Sequence, residues 1–489
     1  MSLMRKLAGQ TAVYGLSTIV GRFLNYLMVP LYTEVLKNTS DYGVVNQLFA
    51  YTGFLMVLYS YRMESAFFRF GTPEADRARA YTTGLGAMIG SSLVFSALLL
   101  LCSEGIADAL RLSDHPEYVR YFALILGLDA LCELPFARLR LEQRPKRFVG
   151  IKLTNISVNI GLNLFWLVFC PWADAQGMDW VRWVWSPDVQ VGYIFLANVV
   201  ASGVTLLLLL PEFRLQPGFF DRVLLAKMLW YAAPLIVVSM AGVVNEMLDR
   251  AILIYLLPGD LEWNRSQLGI YGANYKLAML ITLFTQAYRY AAEPFFFRTA
   301  NSEQSPQIIA DAAKWFTLAS SVAMLGILLF LPELKYFLRK PEYHEGLGVV
   351  PILVLANVLL GVYFNVSVWF RIKDKTAVGA GIALAGAAIT VVLNLLLIPS
   401  MGYYGSAWAT LACYAFTCSV TWYVGQQYYP VPYPIGKMAL YIGLALAVYG
   451  FMRYYLPNLG ENGMFGLRVC LFLGYVGFLG LLEMKNKII

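Results

Sequence analysis

Tyr61-Arg62-Met63-Glu64-Ser65-Ala66-Phe67-Phe68-Arg69 returns 229 residues later as Tyr290-Ala291-Ala292-Glu293-Pro294-Phe295-Phe296-Phe297-Arg298. Tyr, Glu, two Phe and Arg coincide without a gap, and the same shift lays Tyr42-Gly43 on Tyr271-Gly272. Five identities at one spacing mark an internal repeat, and its size follows from counting the apolar runs between the copies. The chain of 489 residues is 59% hydrophobic and 14% charged, whereas a soluble domain carries ~25% charged residues. That excludes an ordinary soluble enzyme. Runs of ~20 apolar residues, each long enough to cross a ~30 Å hydrocarbon core as helix, occupy 10–36, 44–70, 81–102, 118–138, 148–170, 191–211, 229–257, 269–297, 312–331, 349–370, 378–398, 405–426, 437–455 and 467–483.

These limits predict an all-α polytopic membrane protein with fourteen transmembrane helices. The repeat unit is six helices, an even number, so both halves enter the membrane in the same direction as parallel repeats around an axis along the membrane normal. The expected lobes are residues 1–220 (helices 1–6) and 221–430 (helices 7–12), with 431–489 (helices 13 and 14) as an appended pair. Placing both termini in the cytoplasm puts most of the 37 Lys and Arg on the inner side, notably Arg138, Arg140, Arg144, Lys146 and Arg147, as the positive-inside rule requires. No small-residue cleavage site follows the first apolar run, so that helix is expected to be retained. The longest connection, 171–190, is too small for a catalytic domain. It carries Trp172, Trp180, Trp183 and Trp185, suited to the membrane interface or to stacking on sugars.

Setting helix-end charges aside, five cations fall deep inside predicted spans: Arg22, Arg62, Arg250, Lys276 and Arg289. Each costs ~2.5–3.5 kcal/mol at the bilayer centre and needs a compensating role. Glu246 lies four residues from Arg250, and Glu293 four from Arg289, so local pairing is open to both. Arg22, Arg62 and Lys276 have no acid three or four residues away, and an anionic substrate is the expected partner of these three, with Asn25 beside Arg22 and with Arg250 and Arg289 as second choices. Glu64 and Glu293 are expected to pair with arginines at an inner gate, such as Arg69, Arg298 or Arg289. Asp129 and Glu133, four apart on one helix face, are like charges, which leaves two readings open: pairing with cations across the cavity or at the inner end, or a coupling role as a proton site. Pro30 and Pro294 can kink their helices. The six cysteines have no C-x-x-C spacing, and His115 and His344 lie in separate loops. Walker, nucleotide-binding and nucleophile-elbow motifs are absent. No metal, cofactor, catalytic residue or nucleic-acid partner is therefore expected.

Three stretches carry a family resemblance. They are Gly21-Arg22-Phe23-Leu24-Asn25-Tyr26-Leu27-Met28-Val29-Pro30-Leu31-Tyr32 with Asp41-Tyr42-Gly43, then Leu268-Gly269-Ile270-Tyr271-Gly272-Ala273-Asn274-Tyr275-Lys276, then Asn394-Leu395-Leu396-Leu397-Ile398-Pro399 with Gly402, Gly405 and Ala407. In this order the chain resembles the polysaccharide transporter, or O-antigen-type lipid-linked oligosaccharide flippase, family of the multidrug/oligosaccharidyl-lipid/polysaccharide exporter superfamily. The resemblance implies alternating-access export of undecaprenyl-pyrophosphate-linked oligosaccharide across the bacterial inner membrane, for lipopolysaccharide or exopolysaccharide, with cavity cations holding the pyrophosphate. The partners it implies are the polyprenyl-linked glycan, membrane lipids and other polysaccharide-assembly proteins. The related lipid II flippases hold a lipid tail in a groove formed by their last two helices and carry an acid after the first-helix Arg. Arg22 has no such acid. A cation-coupled multidrug exporter is the nearest rival, but cationic drugs would be repelled by the cationic cavity. A membrane glycosyltransferase or polymerase would need a larger outer loop.

Overall fold

The computed structural model describes residues 19–216, 220–299, 302–455 and 461–488, and among them all regular elements are helical. The principal helices are α1 (Met28–Val35), α2 (Thr39–Ser60), α3 (Met63–Gly71), α4 (Glu74–Leu101), α5 (Pro116–Leu141), α6 (Pro145–Leu164), α7 (Val191–Leu209) and α8 (Arg222–Leu256). They continue with α9 (Leu261–Ala278), α10 (Leu280–Thr299), α11 (Ser305–Leu329), α12 (Val350–Val366), α13 (Thr376–Met401), α14 (Tyr403–Tyr428), α15 (Ile435–Tyr455) and α16 (Glu461–Ile488). Nine helical stretches among the described residues are long and apolar enough to cross a membrane. Several other expected spans are broken or more polar. Hydrocarbon offers the backbone no partner, so helices that bond internally are the natural solution. Their scattered polar side chains follow the same rule by bonding the carbonyl one turn back, as Thr205 does to Ala201 (2.8 Å), Asn357 to Leu353 (2.9 Å) and Asn394 to Thr390 (2.8 Å).

Several expected spans are interrupted, the eighth (269–297) at Met279 and the tenth (349–370) at Ser367 among them. The first bends at Leu27, three residues before Pro30, because proline lacks the N–H that would bond the Tyr26 carbonyl. The second, read as continuous over 44–70, is divided between α2 and α3 by two consecutive left-handed residues, Tyr61 (φ 31°) and Arg62 (φ 56°). Such backbone costs about 1–3 kcal/mol per non-glycine residue and persists only where packing holds it. Met63, Ala66 and Phe67, all buried in a cluster with Tyr81, Leu126 and Leu134, supply that packing.

The chain packs as two compact units that divide after Gly269. In the first, α2 and the start of α9 touch so closely that a Cβ on Gly43 would lie 2.0 Å from the Arg265 carbonyl oxygen, and one on Gly269 1.9 Å from that of Thr39. Hydroxyls seal the same crossing, with Thr39 Oγ1 2.5 Å from Ser266 Oγ. The positive cluster after α5 is drawn into a network around the buried Glu212. Arg144 and Arg147 pair with its carboxylate at 2.9 and 3.2 Å, while Arg138 and the Tyr81 hydroxyl donate to its carbonyl at 3.3 and 2.8 Å. Losing a buried partner costs several kcal/mol, less when its cations are a third exposed, as here. Glu212→Ala is therefore expected to lower stability by about 2–3 kcal/mol. An unchanged melting temperature in detergent would show that the network carries none of it.

Asp221 caps α8, accepting from Val223 N (2.8 Å) and Leu224 N (3.1 Å) and pairing with Arg79 at 2.5 Å. These backbone bonds, with Arg79, hold its carboxyl below the usual range. The 171–190 connection is itself folded. A π-helical turn (Phe165–Phe169), a short helix (Cys170–Ala175) and a 3-10 turn (Asp179–Trp183) close on Cys170, Ala173 and Val181, leaving Trp172, Trp180 and Trp183 exposed.

In the second unit the appended pair α15 and α16 is riveted to α11. The Glu483 carboxylate takes Lys314 at 2.8 Å and the Tyr441 hydroxyl at 2.7 Å, Tyr475 donates to Ser321 at 2.8 Å, and Arg468 pairs with Glu333. The turn between α13 and α14 uses Gly402 at φ 59°. A Cβ on Gly405 would meet the Leu397 backbone at 2.6 Å.

Candidate functional site

Helical periodicity assembles a charged cavity inside the first unit. On α5, Asp129, Cys132, Glu133, Phe136 and Arg140 recur at three- and four-residue steps and so share one face. α6 adds Phe148, Lys152 and Asn155; α7 adds Asn198, Ser202 and Thr205. Met56 and Glu64 come from the two halves of the broken second span. Together they line a space of about 360 Å³, within the range of small-ligand sites. Most of its polar groups are bonded in place. Glu64 Oε1 meets Arg140 Nη2 at 2.5 Å, and the Arg140 guanidinium lies 5.3 Å from the Phe68 ring centre. Lys152 Nζ sits 4.3 Å over the Phe136 ring. Asn155 donates to Thr205 at 2.8 Å. Ser202 hydrogen-bonds Asp129 and Ser60 hydrogen-bonds Glu133, yet Glu133 Oε2 and Arg140 Nε are buried without a hydrogen-bond partner among the described residues.

The other sequence-predicted residues are placed as follows. Arg22 and Asn25 are exposed on the helical stretch 19–26, and Arg62 is exposed on the left-handed break. Arg22 and Arg62 make no ion pair among the described residues. Arg69 is exposed on α3, and Glu64 has Arg140 as its partner, a residue the sequence assigned only to the inner charge cluster. Arg250 is buried. It takes the carboxylate of its neighbour Asp249 at 3.4 Å and the backbone carbonyl of Glu246, while the Glu246 side chain is exposed. Lys276 and Arg289 lie in the second unit, Arg289 stacking 3.8 Å over Phe364 in a small cavity shared with Arg371 and Asn365. The side chains of Glu293 and Arg298 lie outside the described residues.

Sequence reasoning missed Lys152, Asn155, Asn198 and Ser202. The signal was present: Lys152 falls inside the predicted fifth span, and Asn198, Ser202 and Thr205 form a polar ladder at i, i+4, i+7 in an otherwise apolar helix.

The sequence model of a family described as polysaccharide biosynthesis protein matches residues 7–300, more than half of the chain. The chain belongs to this family. A curated relative, the probable low-salt glycan biosynthesis flippase Agl15 of Haloferax volcanii, is 20% identical over 361 residues, covering 73% of this chain and 71% of its own. Among solved structures, the lipid II flippase MurJ in an inward closed conformation superposes with a TM-score of 0.73 at 11% identity over 97% of this chain and 99% of MurJ. A multidrug resistance MATE family transporter in its inward-facing conformation gives 0.61 at 12% identity, over 82% of this chain and 97% of its own. This polysaccharide biosynthesis protein thus shares its fold with MurJ and the MATE transporter, and the chain is a multi-pass membrane protein of the polysaccharide biosynthesis family.

A second cavity, apolar and of about 530 Å³, lies between α12, α14 and α15 and is lined by Val362, Val366, Trp422, Tyr433, Met438 and Ile442.

Proposed function

We propose that this flippase carries undecaprenyl-pyrophosphate-linked oligosaccharide from the inner to the outer leaflet of a bacterial cytoplasmic membrane by alternating access, using fourteen spans with both termini inside. The observation that carries it is Arg62, together with Arg22. Both are exposed guanidinium groups in spans of a flippase-family chain, without an ion pair among the described residues. An intramembrane cation in that condition calls for an anion, and a guanidinium matches the oxygens of a phosphate in bidentate fashion. Lys276, Arg250, Arg289 and Asn25 complete the pyrophosphate site in this reading. The twofold repeat of a six-helix lobe, 1–220 and 221–430, supplies the rocking halves. The apolar cavity beside α15 suits the isoprenoid chain, and the exposed tryptophans of 171–190 face the outer interface.

Lipid II is the second substrate to test, since the MurJ fold matches nearly end to end. Purified protein in liposomes is expected to move a polyprenyl-pyrophosphate-linked oligosaccharide across the bilayer faster than a neutral polyprenyl glycoside. Equal rates for the two lipids would overturn the pyrophosphate site. Transfer of lipid II alone would move the protein to the peptidoglycan precursor.

A further inference from the structure

The charged cavity of the first unit holds more ionisable groups than an anion site needs. Glu64 and Arg140 pair at 2.5 Å, with the Arg140 Nε left buried and unbonded among the described residues, Asp129 has Ser202 and faces Lys152, and Lys152 has the Phe136 ring. Glu133 is the exception among the acids of the cavity, because one of its carboxylate oxygens is buried and has no hydrogen-bond partner among the described residues. The groups that face it are Ser60, Tyr61, Arg62 and Glu64 from the broken second span, Asp129, Cys132 and Arg140 from its own helix, and Lys152 from α6. α7 contributes only neutral Asn198, Ser202 and Thr205. A buried carboxylate oxygen with no donor is costly as an anion, whereas a carboxylic acid can exist there and release its proton when the surroundings change.

We propose that this cavity is a proton-exchange site whose carrier is Glu133, and that the proton acts through Arg62 on the left-handed break of the second span. A metal cation does not fit, because Arg62, Arg140 and Lys152 would repel it. A proton does. The cavity has room for about ten waters at ~30 Å³ each, so the O–H bond of the acid breaks, the proton passes to water, and the electron pair stays on the carboxylate. The charged carboxylate then attracts Arg62, which lies within its electrostatic reach; the neutral acid leaves Arg62 uncompensated. Arg62 and Tyr61 are the two left-handed residues that separate α2 from α3, so each protonation changes the force on that hinge. Switches of this kind bias a two-state element by a local change of charge. The proton's part in transport rests on the flippase reading, but the exchange itself does not.

Two readouts separate the two ideas. In liposomes with the potential clamped by potassium and valinomycin, wild-type flipping of a fluorescent polyprenyl-pyrophosphate-linked sugar is expected to change at least threefold between imposed pH gradients of opposite sign. In E133Q that ratio should fall to one whatever the absolute rate, while E64Q, which loses a carboxylate already paired with Arg140, keeps the wild-type ratio. A wild type that flips without any pH response, an E133Q protein that keeps the response, or an E64Q protein that loses it would each overturn the assignment to Glu133. Infrared spectroscopy of the purified full-length chain after a pH jump needs no transport. A protonated-carboxyl band should appear in wild type and D129N and vanish in E133Q at an unchanged melting temperature; its survival in E133Q would refute the site. If no gradient moves lipid in wild type, the flippase reading fails and the infrared band still decides the proton site.

Discussion

Flipping of a pyrophosphate-linked glycan lipid is expected to be lost in Arg22→Ala and in Arg62→Ala, with the protein still folded. Removing one partner of a desolvated charge pair costs about 2–5 kcal/mol, which is roughly a 30-fold or larger loss at 1.4 kcal/mol per decade. Folding should survive because both side chains are exposed and neither makes an ion pair among the described residues. Arg22→Lys should restore only part of the activity, since an ammonium supplies a point charge without the planar fork that suits phosphate. The measurement is the flipping rate in liposomes beside the melting temperature in detergent. A variant that melts like wild type and flips at the wild-type rate would remove that arginine from the substrate site.

The second large effect concerns driving force. A pyrophosphate-linked lipid carries about two negative charges, and a potential that is negative inside favours their outward movement by ~2.3 kcal/mol per charge per 100 mV. Two charges give ~4–5 kcal/mol, or about three decades in the distribution of the lipid. At constant pH, a potassium-diffusion potential of about 100 mV is therefore expected to drive flipping in liposomes, and reversing its sign should reverse the net direction. If only a pH or sodium gradient drives the movement, voltage is not the driver. The same field draws an unloaded cationic cavity back inward, so a cycle of this kind needs no ATP. Glu133 adds a pH-sensitive component without replacing the electrical one, and for that reason the two experiments hold different gradients constant.

Much of this protein is legible from local pattern. The length of the apolar runs dictates helices that cross a membrane, because only an internally bonded backbone survives in hydrocarbon, and the match to the MurJ fold agrees with that class. The like-charged face of Asp129 and Glu133 is equally local, since residues four apart on a helix must share a side. The repeat around Tyr61 and Tyr290 is visible as identities in register.

Other features depend on which helices meet and at what height, and no local period encodes that. Glu64 and Arg140 are far apart in the chain, and only the packing of α3 against α5 brings them to 2.5 Å. Lys152 looks like an inner-end charge until α6 turns it over the Phe136 ring. The inner arginines obey the positive-inside rule in sequence, yet three of them converge on one buried Glu212 once α5, α6 and the end of α7 are packed. The left-handed pair at Tyr61 and Arg62 carries no glycine or proline to announce it. Buried contacts of Met63 and Phe67 hold that backbone against its strain. Composition and spacing determined the membrane, the helices and the charged face; the tertiary structure decided the pairings, because ion pairs and strained backbone are set by distances between helices rather than along them.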